Sequence, residues 1–200
     1  MASSWPNSVQ TFTTVSPGDS LNSPSHSGLH NDVSDTVEAL QNYAGLVFVK
    51  SQTIGSGVSS VTVSDAFSST FLNYKVLIFY VDFTVANVRF DLQFNNVTTG
   101  YYGAMRYLSF TGTTGTVLQN GGTAITVCNT TTFANMGVSM DIFNPYPSGY
   151  TMVTGQSVGG GYIEEFGANA GLGSNTGFTL SPISGTMTGG LIKIYGYNNG

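Results

Sequence analysis

Two histidines, His26 and His30, stand four residues apart in the stretch SPSHSGLHNDVSDTVEALQNYAG, residues 23–45. On a helix this spacing places both imidazoles on one face, as in the zinc-binding H-E-x-x-H motif. The Glu of that motif and a third protein ligand are missing, so no metal site is expected within one chain. Three copies of His26 around a threefold axis would offer a ring of imidazoles to a metal ion or an anion. The alternative is that both histidines cap and pack the start of a helix.

Catalytic chemistry is not expected elsewhere in the chain. Cys128 is the single cysteine, far in sequence from both histidines, and is predicted to be a small buried side chain rather than a nucleophile. There is no G-x-S-x-G elbow and no phosphate-binding loop, and the glycine-rich run 157–177 predicts a surface loop.

The carboxylates also make poor acid–base pairs. Glu164 and Glu165 are adjacent, so in a strand they would point to opposite faces. A pair among three carboxylates on separate predicted strands stays open: Asp82, Asp91 and Asp141. We therefore expect no enzymatic activity and no cofactor.

The scarcity of charge limits the expected partners. Only 8% of the residues are charged, against about 25% in an average soluble protein. With five Lys and Arg residues and a net charge of −5, the chain has no basic patch for nucleic acid. The longest apolar run, VLIFYV at residues 76–81, is too short to span a membrane. Such a surface favours contacts with copies of the same chain or with a larger assembly.

Residues 1–22 predict an extended N-terminal arm. They are polar, contain two prolines and have no sustained apolar period. A terminal segment of this kind becomes ordered by docking. Trp5 and Phe12 are the expected apolar anchors of the arm on its docking partner.

Residues 23–45 predict one short α-helix. Ser23 is suited to capping its first turn, Pro24 to the first helical position and Gly45 to the left-handed stop. The apolar spacing forms a heptad seam, which predicts a short bundle of three chains. Packing of a single helix on the following β-domain is the alternative. The residues of the seam are His26, Leu29, Val33, Thr36, Val37, Leu40 and Tyr43.

Residues 46–200 predict a β-domain, because the apolar period changes to two. NVRFDLQFN at residues 87–95 alternates cleanly, while NYKVLIFYVDF at residues 73–83 is apolar on both faces, as in a central strand. Eight or more short strands without intervening helices favour an antiparallel β-sandwich of the jelly-roll kind. The chain is therefore predicted to be mainly β, with the arm and the helix preceding the sandwich.

Tyrosines near predicted turns are candidates for contact with a receptor. Exposed tyrosine rings bind sugars and proteins through an apolar face and a hydroxyl group. Tyrosines in a sandwich core or a subunit interface are the alternative. The candidates are Tyr101, Tyr102, Tyr146 and Tyr150.

Three segments resemble virion proteins of tailed bacteriophages. Residues 23–45 resemble the H-x-x-L-H-N-D-hydrophobic helix near the start of many fibre, baseplate-associated and other minor structural proteins. FSSTFLNYKVLIFYVDF and GTMTGGLIKIYGYNNG look like the first and last strands of the β-sandwich at the end of such proteins. The resemblance covers residues 23–83 and 185–200. The strands between these segments are similar only in their general composition.

The resemblance implies a non-enzymatic, trimeric virion component assembled in the host cytoplasm. Its arm would attach to capsid, collar or baseplate proteins, and its sandwich would be displayed to a host-surface glycan or protein. A short tail fibre or spike is the leading expectation. No repetitive shaft follows Gly45, which argues against a long fibre and favours a short fibre or a knob seated on head, collar or baseplate. A capsid decoration protein or head fibre is the main alternative, and a carbohydrate-binding module acting alone is a third.

Overall fold

The structure, a computed structural model, describes residues 31, 33–35, 37, 45–130 and 135–198. It divides into two units, residues 1–45 with 198–200, and residues 46–197. In the first unit the described residues 31, 33–35 and 37 are helical. Val33 and Val37, one helical turn apart, are 53% and 47% exposed. The other predicted residues of the seam and the arm lie outside the described residues: Trp5, Phe12, His26, Leu29, Thr36, Leu40 and Tyr43.

The second unit is built from β-strands. Within the described residues, the strands in chain order are β1 (Leu46–Thr53), β2 (Ser56–Val58), β3 (Val61–Val63), β4 (Asn73–Phe83), β5 (Val88–Phe94), β6 (Tyr101–Ser109), β7 (Thr114–Gly122), β8 (Ile125–Thr130), β9 (Met136–Phe143), β10 (Gly149–Gly159), β11 (Tyr162–Gly173), β12 (Phe178–Pro182), β13 (Met187–Thr188) and β14 (Leu191–Tyr197).

All strand pairs are antiparallel and form a large and a small sheet. The large sheet has the order β1-β14-β4-β9-β10-β11-β6-β7, and the small sheet has the order β3-β12-β5-β8. The short strand β13 pairs with β2 and β4 at the side of the large sheet.

Eight of these strands follow the jelly-roll order. When β1, β3, β4, β5, β8, β9, β12 and β14 are numbered one to eight, the large sheet contains 1-8-3-6 and the small sheet 2-7-4-5. Two hairpins are inserted into this frame, β6–β7 between β5 and β8, and β10–β11 between β9 and β12. Both hairpins extend the large sheet beyond β9. The predicted antiparallel sandwich is confirmed.

The core lies between the two sheets and follows the alternation of the strands. In β5, Val88, Phe90, Leu92 and Phe94 are all buried, as the sequence pattern predicts. Opposite residues on the large sheet are equally enclosed, among them Val76, Ile78, Met140, Ile142, Ile192 and Ile194. These apolar faces close one continuous interior.

The glycine-rich run 157–177 is not a surface loop, and this expectation was wrong. It forms the end of β10, a tight turn and β11, which pairs with β10 along its length and with β6 from Tyr162 to Asn169. Its glycines allow close packing, because a Cβ atom on Gly173 would lie 2.6 Å from Cγ2 of Val97. A Cβ atom on Gly171 would lie 3.2 Å from the carbonyl oxygen of Thr99. Here glycine marks close approach of the chain rather than the end of a strand.

Candidate interaction surface

The outward side of the large sheet carries most of the exposed apolar side chains in the described part of the sandwich. We call this side the large outer face, and it consists of the outward residues of β1, β14, β4, β9, β10, β11, β6 and β7. Ten large apolar residues on it are each between 45% and 78% exposed. They are Leu46, Phe48, Tyr102, Leu108, Leu118, Tyr150, Met152, Val158, Ile163 and Leu172.

The outward side of the small sheet is polar by contrast. Thr62 and Thr179 join β3 to β12 by a hydroxyl hydrogen bond of 2.9 Å. On β5, Arg89 donates to both carboxylate oxygens of Asp91. The two outer faces of one sandwich therefore differ in chemistry. A concentration of exposed apolar residues on one face is typical of an interaction surface.

A polar band crosses the middle of the large outer face. Lys75 on β4 and Asp141 on β9 form an ion pair with an N–O distance of 3.1 Å, and the Tyr197 hydroxyl also donates to Asp141. Burial and this carboxylate raise the pKa of Tyr197 to about 12. Farther along the band, Arg106 and Glu165 pair at 2.9 Å.

Two adjoining depressions lie in the polar band. Their volumes are about 650 Å³ and 560 Å³, and both are lined by Arg106, Gln156 and Glu165. In the lining of the larger one, Gly167 and Ala104 lie side by side in register. A Cβ atom on Gly167 would have no neighbour closer than 4.0 Å, so it would project into open space.

One end of the large outer face, which we call the tyrosine end, brings together two of the predicted receptor contacts. Tyr150 stands opposite Leu172 across the β10–β11 pair. Met152 stands opposite Asn169, which in turn faces Tyr102 on β6. Tyr102 and Tyr150 are both exposed. The tyrosine end therefore presents two accessible tyrosine rings next to apolar side chains.

The other two predicted tyrosine contacts are placed differently. Tyr101 is fully buried, and its hydroxyl accepts from the Phe94 N–H at 2.8 Å and donates to the Val97 carbonyl at 2.6 Å. The expectation of a receptor contact is therefore corrected for Tyr101, because its position on β6 turns the ring inward. Tyr146 is partly buried and packs against the core.

Sequence reasoning missed the aliphatic part of this surface. Leu118 lies on β7, which is rich in Gly and Thr, and Ile163 lies on β11, which is rich in Gly and Ala. Isolated aliphatic residues in such surroundings indicate no interior face. They can be recognised as part of one surface only when strand pairing aligns Ile163 with Val158 and Leu108. We call this aligned group the isoleucine end of the face.

The three carboxylates that stayed open as catalytic pairs do not come together in the structure. Asp91 lies on the small sheet with Arg89, while Asp141 lies on the large sheet with Lys75. Asp82 stands opposite Thr188, at the other end of β4 from Lys75. Within the described ranges, no three His, Cys, Asp or Glu side chains come together as a metal site would require.

A second polar cluster is buried beneath the inserted hairpins. Glu164 points inward, opposite to its exposed neighbour Glu165, and is 2% exposed. Its carboxylate accepts from the Asn129 N–H at 2.9 and 3.0 Å and from the Ser157 hydroxyl at 2.5 Å. Cys128 lies beside it and is buried and free, as predicted.

Burial dominates the proton equilibria of this cluster. Desolvation raises the pKa of Glu164, although its hydrogen bonds from Ser157 and Asn129 oppose the shift. Burial also raises the pKa of the Cys128 thiol, and the neighbouring Glu164 charge adds to that effect. A thiol held in its protonated form is a weak nucleophile. The cluster therefore joins β8 to the β10–β11 hairpin and does not resemble a catalytic dyad.

Glu164→Gln is expected to weaken the pH dependence of stability. Because the folded pKa is raised, the stabilising contribution is fully present below the unfolded pKa of about 4.3 and is lost as pH rises through the folded pKa. Native Glu164 thus makes the protein less stable as pH rises, by at most about 1.4 kcal/mol per pH unit. Urea unfolding between acidic and neutral pH measures this slope.

Glu165→Gln is the matched control, since Glu165 is the exposed neighbour on the same strand. We expect its slope to equal that of the native protein. Equal slopes for both variants would show that Glu164 does not control the acidic stability.

Comparisons with known proteins add no relative: no family model, curated protein or solved structure matches the chain. The described residues contain no helix long and apolar enough to cross a bilayer. The interpretation of function therefore depends on the jelly-roll frame, the large outer face and the sequence patterns.

Proposed function

We propose that this chain is a non-enzymatic structural protein of a tailed-bacteriophage virion, a homotrimeric appendage of the short-fibre or spike kind. Its N-terminal arm attaches to the particle, and its jelly roll is displayed to the host surface. The resemblance of residues 23–83 and 185–200 to such proteins supports this assignment. The jelly roll agrees with it, although a fold of this kind hosts many functions.

The observation that carries the proposal is the difference between the two outer faces of the sandwich. One face holds ten exposed large apolar residues, in a chain of which only 8% is charged. Assembly is favourable for a protein of this composition, because contact with other protein removes the exposed apolar area from water. A structural component of a larger particle meets that requirement.

The tyrosine end is the part of the surface best suited to host contact. Tyr102 and Tyr150 offer flat apolar rings with hydroxyl groups, and Asn169 lies in register between Met152 and Tyr102. Rings of this kind bind the apolar faces of sugars and of protein side chains, and their hydroxyl groups form hydrogen bonds with polar groups.

A capsid decoration protein or head fibre is the second candidate. It is favoured by the start of β1 at Leu46, which follows the predicted helix in the sequence without an intervening repeat. A sandwich that follows its attachment segment directly in the sequence suits a knob seated on a shell. Antibodies against the purified chain, imaged on intact particles, distinguish the two: label on the tail supports the appendage, and label on the capsid surface contradicts it.

Tyr102→Ala combined with Tyr150→Ala is expected to weaken host binding strongly. Purified full-length chain should compete with phage particles for adsorption to host cells, because both would occupy the same receptor. The double variant should need at least about tenfold more protein for the same competition, as expected for loss of central aromatic contacts.

Tyr80→Ala is the matched control for this experiment. Tyr80 is exposed on β4 but lies outside the tyrosine end, so its removal should leave competition unchanged. If the native chain fails to compete, the host-contact function is wrong. If the double variant competes as well as the native chain, the tyrosine end is not the receptor site.

A further inference from the structure

We infer that the polar band and the isoleucine end of the large outer face pack against neighbouring copies of this chain. The inference adds a contact surface to the proposed homotrimer and rests on that trimer, but not on a virion location. It assigns self-association to the jelly roll itself, in addition to the predicted helical seam.

The size of the face agrees with a protein partner. Eight strands about 4.8 Å apart, each with about four outward residues spaced by about 6.8 Å, provide on the order of 1,000 Å². A standard protein interface takes about 800 Å² from each partner. The large outer face is therefore large enough for a stable contact that does not include the tyrosine end.

The charges of the face suit a second copy in particular. The chain has a net charge of −5, so copies repel one another on average. Around the polar band, the large outer face instead carries three cations and two carboxylates, namely Lys75, Lys193, Arg106, Asp141 and Glu165. From β4 to β6, the neighbouring strands β4, β9, β10, β11 and β6 carry in turn a cation, a carboxylate, no charge, a carboxylate and a cation. An offset of one strand between two such faces places cations opposite carboxylates.

Other occupants fit the surface less well. A small polar ligand in the larger depression would leave Val158, Ile163 and Leu108 exposed to water. One in the smaller depression, which Leu108 and Ile163 line, would still leave Val158 exposed. A lipid bilayer would require dehydration of the Lys75–Asp141 and Arg106–Glu165 ion pairs, which is unfavourable. A protein surface of the same composition satisfies both the apolar and the charged parts.

A thiol placed on the face measures whether it is covered. Thr154 on β10 is exposed at the centre of the large outer face, and Thr62 on β3 is exposed on the small sheet. Cys128 is buried, so a maleimide reports the introduced thiol. In the full-length chain we expect labelling of Thr154→Cys to be at least tenfold slower than labelling of Thr62→Cys.

A second substitution links protection to the contact. Ile163 and Ile183 are similarly exposed, at 53% and 57%, but only Ile163 lies on the large outer face. Added to Thr154→Cys, Ile163→Glu is expected to restore fast labelling, whereas Ile183→Glu is not. Circular dichroism confirms that each variant is folded before its labelling rate is compared.

Light scattering on the same samples separates the outcomes. A trimer with slow labelling at Thr154→Cys supports the inference. A trimer with equal labelling at both positions overturns it while leaving the homotrimer intact, because the helical seam then holds the chains together. A monomer contradicts both, whatever its labelling rate, and slow labelling in a monomer would mean that the chain covers its own face.

Discussion

Phe67→Ala is expected to lower the free energy of unfolding by about 3–5 kcal/mol, as for other large-to-small core substitutions. Phe67 lies in the connection between β3 and β4, and its ring is buried between the two sheets. It contacts Tyr74 of the large sheet at a centroid distance of 4.8 Å and Phe178 of the small sheet at 5.8 Å. Removing the ring leaves a cavity that rigid strands on both sides cannot close.

The backbone around Phe67 adds to the expected cost. The N–H groups of Ala66 and Phe67 both donate to the carbonyl of Thr176, so the ring is held by a fixed segment that cannot move inward to fill the cavity. Urea unfolding at constant chain concentration measures the change, because self-association alters apparent stability.

Phe110→Ala is the control for Phe67→Ala. Phe110 is exposed after the end of β6, and we expect its removal to change the free energy of unfolding by less than about 0.5 kcal/mol. A loss of less than about 1 kcal/mol in Phe67→Ala would contradict the role of Phe67 as the contact between the sheets.

Local patterns predicted the frame strands well. The alternation in NVRFDLQFN places four apolar residues on one side, and the structure buries all four. NYKVLIFYVDF forms β4, the strand between β14 and β9, and its outward residues Leu77 and Phe79 are only partly covered. In both segments the side chains themselves carry the signal, because they are large and their burial follows the pleat.

The extended part of the large sheet was harder to predict. In β11 the residues between Phe166 and Leu172 are Gly, Ala and Asn, which lack a side-chain period. Strand formation there depends on partners distant in sequence, such as β6, whose register with β11 includes Ala104 opposite Gly167. The sheet order is also set by non-local pairing, so turn signals between strands do not reveal it.

The candidate surface was predicted only in part. Tyr102 and Tyr150 stand out by residue type, but nothing local distinguishes them from Tyr101, which faces the core. The direction of a side chain in a strand changes with every residue, so a predicted strand without a known register leaves the face undetermined. The seam residues Val33 and Val37 are exposed in the described helix, while trimerisation stays a prediction.

The inserted hairpins connect the fold to the proposed function. Eight of the ten exposed apolar residues of the large outer face lie on β6, β7, β10 and β11, and only Leu46 and Phe48 belong to the jelly-roll frame. The frame provides most of the buried interior. The insertions add Tyr101, Met105 and Phe166 to it, widen one sheet and give that sheet an apolar exterior. Buried Glu164 joins this extension to β8 through the Asn129 N–H. The surface for contact thus comes mainly from the inserted strands.

Tyr101→Phe is expected to lower the free energy of unfolding by about 2–4 kcal/mol, because two buried backbone groups lose their partner. The Tyr101 hydroxyl accepts from the Phe94 N–H and donates to the Val97 carbonyl, which fixes the connection between β5 and β6. Phenylalanine keeps the ring that stacks near Phe94 but leaves both groups unsatisfied. Tyr102→Phe, one residue along the strand on the exposed face, should change stability by less than about 0.5 kcal/mol.

Alkaline titration tests the same environment independently. Burial raises the pKa of Tyr101 to about 12, above the value of about 10 for an unfolded tyrosine. The native state therefore holds its proton more tightly, and this contribution to stability is lost as pH rises from the unfolded to the folded value. We expect Tyr101→Phe to lose less stability than the native protein across this interval. Equal alkaline losses, together with unchanged stability at neutral pH, would mean that the hydroxyl of Tyr101 faces water, as a receptor contact would require.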